Sequence, residues 1–282
     1  MTMEKRNHRV RHTIFSVLTA LITVIIMIPF IWLVILSFKS NTQIMNEPFS
    51  LPESFGLENY YIAFRVLPLV NMYKNTMIIA AFTEILCLAV TFTGAFALTR
   101  LTYKNRKLQN GLYLFLISGL MIPIYILLFP IYRINIQLKL VGKYISVILP
   151  LAASSISFNI LMFVGFMKNF PSELEEAAII DGCSLPGLCC KVTIPLLKPV
   201  LTTVTVFNLL YVWNEFPLEV TLIQKPAMRT ISMEVSMFRG QYSIDYGGLV
   251  AGTLIILIPQ LIFYGVFQKN LVEGITTGAV KG

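Results

Sequence analysis

Charge is what this sequence has least of. Only 13% of its 282 residues are Asp, Glu, Lys or Arg, whereas 56% are apolar; soluble globular domains carry roughly 25% charged residues. So little charge does not cover a water-facing surface on a chain of this length. A bilayer must face much of it, and a soluble cytoplasmic enzyme is excluded. Histidine is almost missing: His8 and His12 are the only two, both in a basic N-terminal tail. That excludes an H-E-x-x-H zinc hydrolase and leaves no membrane-embedded histidine base for a Ser or Cys nucleophile. There is no G-x-x-x-x-G-K-[ST], so the chain has no phosphate-cradling P-loop, and neither G-x-S-x-G nor G-x-G-x-x-G occurs. The four cysteines (Cys87, Cys183, Cys189, Cys190) form no C-x-x-C pair, and adjacent Cys189 and Cys190 suit a structural disulfide poorly; they read as inert thiols. Internal repeats and low-complexity tracts are absent as well.

What is present is a set of six apolar runs, near residues 14–38, 76–99, 111–132, 144–167, 199–218 and 248–267. Each is long enough to span a hydrocarbon core, which takes about 20 helical residues. Unbroken runs of this kind favour helices over barrel strands, which would alternate every second residue. The expected fold is an all-α membrane protein with six transmembrane helices over 13–270, between a basic N-terminal tail (1–12) and a C-terminal tail (271–282). The first run, behind Lys5, Arg6, Arg9 and Arg11, exceeds a signal h-region and lacks a cleavage site, so it reads as a true span. The net charge of +8 invites a nucleic-acid partner, but the cations lie between the apolar runs, where they anchor and orient membrane segments. With the N-terminus inside, 13 of the 22 Lys and Arg fall on the inner side, among them the clusters 5–11 and 100–107. Both termini are expected in the cytoplasm.

The inner segment 171–199 is the most informative. Ser172 with Glu175 is a capping box behind Pro171, and Glu173, Glu175 and Glu176 suit the positive end of a helix dipole. Gly182 fits a left-handed helix end, and Ser184 with Pro186 restarts a second short helix that must stop or kink near Pro195. A first helix of about nine residues is below the ~12–15 at which isolated helices become even marginal, so it must dock on something. The residues alone leave two readings: a linker packed on its own membrane domain, or an element docked on a basic partner.

Glu176-Ala177-Ala178, three residues, Gly182, nine residues, then Val192-Thr193-Ile194-Pro195 resembles the EAA loop of binding-protein-dependent ABC importer permeases. Val192 and Ile194 replace the Ile and Leu of the pattern conservatively. The likeness extends to Glu58-Asn59-Tyr60, Asn75-Thr76, Met121-Ile122-Pro123, Trp213-Asn214-Glu215-Phe216 and the terminal Gly278-Ala279-Val280-Lys281-Gly282, which resemble the maltose-type sugar branch. The resemblance implies a type I ABC importer-like fold, a heterodimer with a second homologous permease, two ATPase subunits holding ATP and magnesium, and an extracytoplasmic sugar-binding protein. No cofactor or metal is implied on this chain. Glu175, Glu176, Ala177, Ala178, Asp181, Gly182 and Pro195 would form the ATPase-coupling element, and Gly278, Ala279 and Lys281 a C-terminal ATPase contact.

Three polar residues are further candidates for the translocation path. Glu84 sits near the middle of the second run, where an ionised carboxylate is expensive. Asn214 and Glu215 stand at the end of the fifth, beside Trp213 and Phe216, where amides, carboxylates and aromatic faces would suit a sugar. Gly248-x3-Gly252 would let another helix approach closely, and Pro123 and Pro130 could kink the third run. The function implied is half of the path of an ATP-driven importer for a sugar or oligosaccharide. A glycerol phosphoester or polyol is the alternative cargo, and a self-contained secondary transporter or channel the rival class.

Overall fold

In the computed structural model every regular element among the described residues is helical. Backbone is described for residues 3–169, 173–238, 240 and 244–279, and side chains within 11–269 of these. The helices are α1 (Met3–Leu36), α2 (Asn41–Asn46), α3 (Glu58–Val66), α4 (Leu69–Arg100), α5 (Arg106–Ser118), α6 (Leu128–Gln137), α7 (Ile145–Asn169), α8 (Glu173–Ile180), α9 (Leu185–Leu188), α10 (Ile194–Leu196), α11 (Lys198–Trp213), α12 (Pro217–Leu222) and α13 (Tyr246–Ala279). Four stretches, Arg11–Leu36, Leu69–Arg100, Ile145–Asn169 and Tyr246–Lys269, are long and apolar enough to cross a membrane.

The third run, where Pro123 and Pro130 could place a kink, is a bent pair, and a second bend falls just ahead of the fifth run. Arg106–Met121 meets Ile124–Gln137 at 88°, and Leu185–Leu196 meets Lys198–Trp213 at 76°, which makes up to six spans. The first break has a local cause. Pro123 forces Ile122 into extended backbone (φ −102°, ψ 109°) and cannot donate to the turn before it. Pro130 lies in the first turn of α6, where a missing N–H is harmless, so it causes no bend. The fifth helix stops at Trp213 rather than 218, because Pro217 starts a new short helix.

The chain divides into two compact units, Met1–Pro68 with Glu234–Pro259, and Leu69–Met233 with Gln260–Gly282. In the first, α1 is unburied over Arg11–Leu36, as a lipid-facing helix would be. The loop after α1 is held by Asn59, whose amide donates to the carbonyls of Ser37 and Lys39 (both 2.8 Å), and by a Ser37–Tyr60 hydroxyl pair (2.8 Å). Lys39 is fully buried, yet its ammonium donates to Glu47 O (2.9 Å), Pro48 O (3.0 Å) and Ser50 Oγ (3.2 Å). Gly252 does allow a close approach, but to Leu67 and Phe238 rather than to a membrane helix: a Cβ there would stand 3.0 Å from each side chain.

In the second unit α4, α7 and α11 pack on one another around two apolar clusters. One gathers Phe96, Phe163, Met167, Leu188, Leu197 and Val200, and the other Ile79, Leu151, Val212, Leu218 and Leu222. Asn75 and Thr76 of α4 clasp the loop after α12. The Asn75 amide donates to Ala227 O (2.9 Å) and Arg229 O (2.8 Å), and the Thr76 hydroxyl accepts from Ile231 N (3.0 Å). Both Asn59-Tyr60 and Asn75-Thr76, noticed in the sequence as motifs, are thus loop fasteners.

Candidate functional site

The excursion 173–198 forms from local rules. Helix α8 opens with Glu173, Glu175 and Glu176 in its first turn; Pro171 and Ser172, the rest of the expected capping box, lie outside the described residues. It ends as expected at Gly182, which has φ +82°. Cys183 N donates to Ala178 O (2.9 Å) and Gly182 N to Ile179 O (3.0 Å), the paired bonds of a Schellman end. The Ser184 side chain then accepts from Gly187 N at 3.4 Å and starts α9. A five-residue π turn, Cys189–Thr193, leads to α10 and Pro195.

The two faces of α8 differ in kind. Ala178 is half-buried against the Leu188–Leu197 cluster. Glu175, expected as part of a partner-facing surface, is turned inward and buried. Its Oε2 pairs with Arg100 Nε at the end of α4, and its Oε1 accepts from the Thr193 hydroxyl (3.2 Å). Arg100 also donates from Nη2 to Met167 O at the end of α7 (2.9 Å). Turned outward are Leu174, Glu176, Ala177, Ile179, Asp181 and Gly182, together with Ile180, which is 85% exposed; Pro195 is exposed as well. Gly278 and Ala279 lie at the end of α13, while Lys281 is outside the described residues.

The membrane-embedded polar residues separate into two groups. Glu84 is buried on α4, and its Oε2 accepts from Asn208 Nδ2 of α11 at 2.8 Å. Asn208 in turn lines a cavity of about 380 Å³, with Ser154, Ser155, Phe158, Phe207 and Tyr211 among its walls. The two phenylalanines meet edge to face with centroids 5.6 Å apart. Asn214 and Glu215 do not line this cavity; they finish one helix and begin another. The Asn214 amide donates back to Leu210 O (2.7 Å), and buried Glu215 accepts from Leu218 N (2.9 Å) at the start of α12.

Just beyond, Glu219 of α12 is fully buried and accepts from the hydroxyls of Thr230 and Ser232 through Oε2. Its Oε1 has no hydrogen-bond partner among the described residues. Burial pushes this carboxyl up to about 8. In the other unit burial likewise pushes Glu234 up to about 7.

Three of these residues escaped the sequence reading. Asn208 was a lone amide in an apolar run, Arg100 one cation among several at a helix end, and Glu219 one of three acids in the loop 219–247. The only available signal was position: a cation on the last turn of α4, and an amide with hydrocarbon on both sides.

The matches to known proteins agree with this architecture. Residues 90–276 match the family model described as binding-protein-dependent transport system inner membrane component. The chain is 31% identical to the sulfoquinovosyl glycerol transport system permease protein of Agrobacterium fabrum, over 90% of this chain and 88% of that one. It is 30% identical to the multiple sugar-binding transport system permease protein of Streptococcus mutans, over 98% and 100%. Its fold is similar to that of a chain in the crystal structure of a bacterial ABC transporter involved in alginate import (TM-score 0.74, 20% identity, covering 94% of this chain and 97% of the other). A multi-pass helical protein with this excursion between its fourth and fifth spans belongs to the family of binding-protein-dependent transport system inner membrane components, the permeases of ABC importers.

Proposed function

We propose that this permease forms half of the path by which an ATP-driven importer moves a sugar or oligosaccharide, with α8 as the element that takes up work from an ATPase subunit. One observation carries the reading: α8 exposes Leu174, Ile179 and Ile180, flanked by Glu176 and Asp181, on a helix of only eight residues. So short a helix needs a docking partner, and an apolar patch beside acids fits a cleft with apolar walls and a basic rim. Two ATPase subunits, each holding ATP and magnesium, supply hydrolysis; this chain has no P-loop of its own. A second homologous permease completes the path, and an extracytoplasmic binding protein delivers the solute. Both termini and the 173–198 excursion face the cytoplasm, in keeping with the basic clusters 5–11 and 100–107. The tail from Gly278 reaches toward the ATPase pair.

The cavity supports the cargo assignment. Its volume of about 380 Å³ is in the range of small-molecule sites, about 300–1,000 Å³. Asn208, Ser154, Ser155 and Tyr211 offer neutral donors and acceptors to hydroxyl groups, and Phe158 and Phe207 offer apolar faces to the C–H side of a sugar ring. Among the described residues no Lys or Arg lines it, which favours a neutral sugar or polyol over a glycerol phosphoester.

The test is co-purification of the tagged chain from its native membrane with mass spectrometry of what stays bound, followed by uptake in proteoliposomes. A P-loop ATPase and a second permease are expected, with uptake that stops when ATP is withheld. A lone chain that transports along an ion gradient would replace the importer with a self-contained secondary transporter.

A further inference from the structure

A docked element transmits force only if it is fastened to the helices it must move. Helix α8 has modest apolar fastening: Ala178 packs on the Leu188–Leu197 cluster, while Leu174, Ile179 and Ile180 point away. At its far end the chain turns through Gly182, a backbone hinge in the left-handed region that holds no side chain. A polar fastening adds to it. Arg100 is the last residue of α4, the helix that carries Glu84 and Asn75, and its guanidinium spends two different edges on two different elements. Nε pairs with Glu175 of α8, and Nη2 donates to Met167 O at the end of α7. The other oxygen of the same carboxylate takes the Thr193 hydroxyl from the π turn that leads into α11, the helix carrying Asn208. One buried carboxylate therefore ties α8 to the ends of α4 and α7 and to the approach of α11. Buried charge pairs of this kind are screened little by salt, and the planar fork of arginine fixes direction in a way an ammonium does not.

Building on the importer reading above, we infer that Arg100 is a positioning residue for energy coupling. It locks the inward face of α8 to α4 through Glu175, so that displacement of α8 moves the helices bearing Glu84 and Asn208 instead of swinging α8 about Gly182. The outward face binds the ATPase, and the inward pair transmits the movement. The two roles belong to neighbouring residues, Glu176 and Glu175, with opposite exposure.

The experiment uses the complete importer in proteoliposomes with its loaded binding protein, and reads two quantities: ATPase bound per permease, and solute imported per ATP hydrolysed. Arg100→Gln and Glu175→Gln are each expected to keep bound ATPase within about two-fold of wild type and to lower solute per ATP about ten-fold. The double variant is expected to be no worse than either single one, because both remove the same link. Arg100→Lys keeps the charge but loses the two-edged geometry, and a loss of about two- to five-fold is expected. Exchanging the charges, Arg100→Glu with Glu175→Arg, should recover at least three-fold over the single changes. Wild-type solute per ATP in the two Gln variants overturns the inference. So does a parallel fall in bound ATPase and uptake with solute per ATP unchanged, which would mean that the pair serves assembly alone. If the unmodified chain binds no ATPase, the importer reading itself falls and the latch with it, an outcome visible before any variant is made.

Discussion

Glu175 and Glu84 are both buried acids, and they are buried for different reasons. Glu175 sits in the excursion with a guanidinium on one oxygen and a hydroxyl on the other. Glu84 sits within a membrane helix with an amide among its hydrogen-bond partners. The first is a charge neutralised by a charge, so it behaves as a fastening. The second is a polar group in hydrocarbon held by neutral donors, Thr205 and Asn208, beside a cavity whose lining includes Asn208. An acid fully matched by its own fold holds structure together, whereas an acid leaning on a cavity-lining amide couples the fold to whatever enters the cavity.

The largest effect expected from breaking this contrast lies at Gly182. Among the described residues no neighbour stands within 4 Å of a Cβ built there; the obstacle is the backbone at φ +82°. An L-residue in that region costs about 1–2 kcal/mol, more when β-branched. Gly182→Val should unwind the end of α8 and abolish stimulation of ATP hydrolysis by loaded binding protein, while the permease still folds. Wild-type stimulation would remove α8 from the coupling route.

Next comes Asn208. Asn208→Ala takes the amide from the cavity and leaves Glu84 Oε2 without that donor, a loss of about 1–3 kcal/mol for a buried acceptor. Uptake should show KM raised about ten-fold, with ATPase binding unchanged. A Gly182-like loss of coupling with normal KM would place Asn208 on the transmission side of the comparison instead.

The smallest effect is on stability, through Glu219. Its carboxyl rises from an ordinary 4.5 to about 8 on folding, so the folded chain holds the proton more tightly than the unfolded one. That contribution is complete below pH 4.5 and is lost as pH rises through about 8. The melting temperature of the detergent-solubilised protein should therefore fall between pH 4.5 and about 8 and level off above it, and Glu219→Gln should flatten the fall. An unchanged slope in that variant would shift the dependence to Glu234, pushed up to about 7.

Much of the excursion was legible residue by residue. The first-turn acids, the left-handed Gly182, the Ser184 cap and Pro195 act over four or five residues, and the structure contains each of them. The spans were legible too, although the break at Ile122–Pro123 appeared in the sequence only as a proline of undecided effect, and the fifth run was drawn through the stop at Trp213 to 218. Asn214 and Glu215 were misleading for a related reason. Polar residues at a helix end beside a Trp resemble a binding cluster, but their first obligation is to the backbone groups that a broken helix leaves unpaired.

By itself, then, the sequence determined that the chain is a bundle of membrane-spanning helices with one short helical excursion ending at Gly182. Hydrophobic length, capping and left-handed backbone are all local properties, written within a few residues of where they act. Only the tertiary structure decided that Glu175 faces Arg100 while Glu176 faces outward, that Glu84 meets Asn208, and that Asn208 borders a cavity. Those pairings join residues 75 and 124 positions apart, and burial of a polar group has meaning only once another helix arrives to satisfy it.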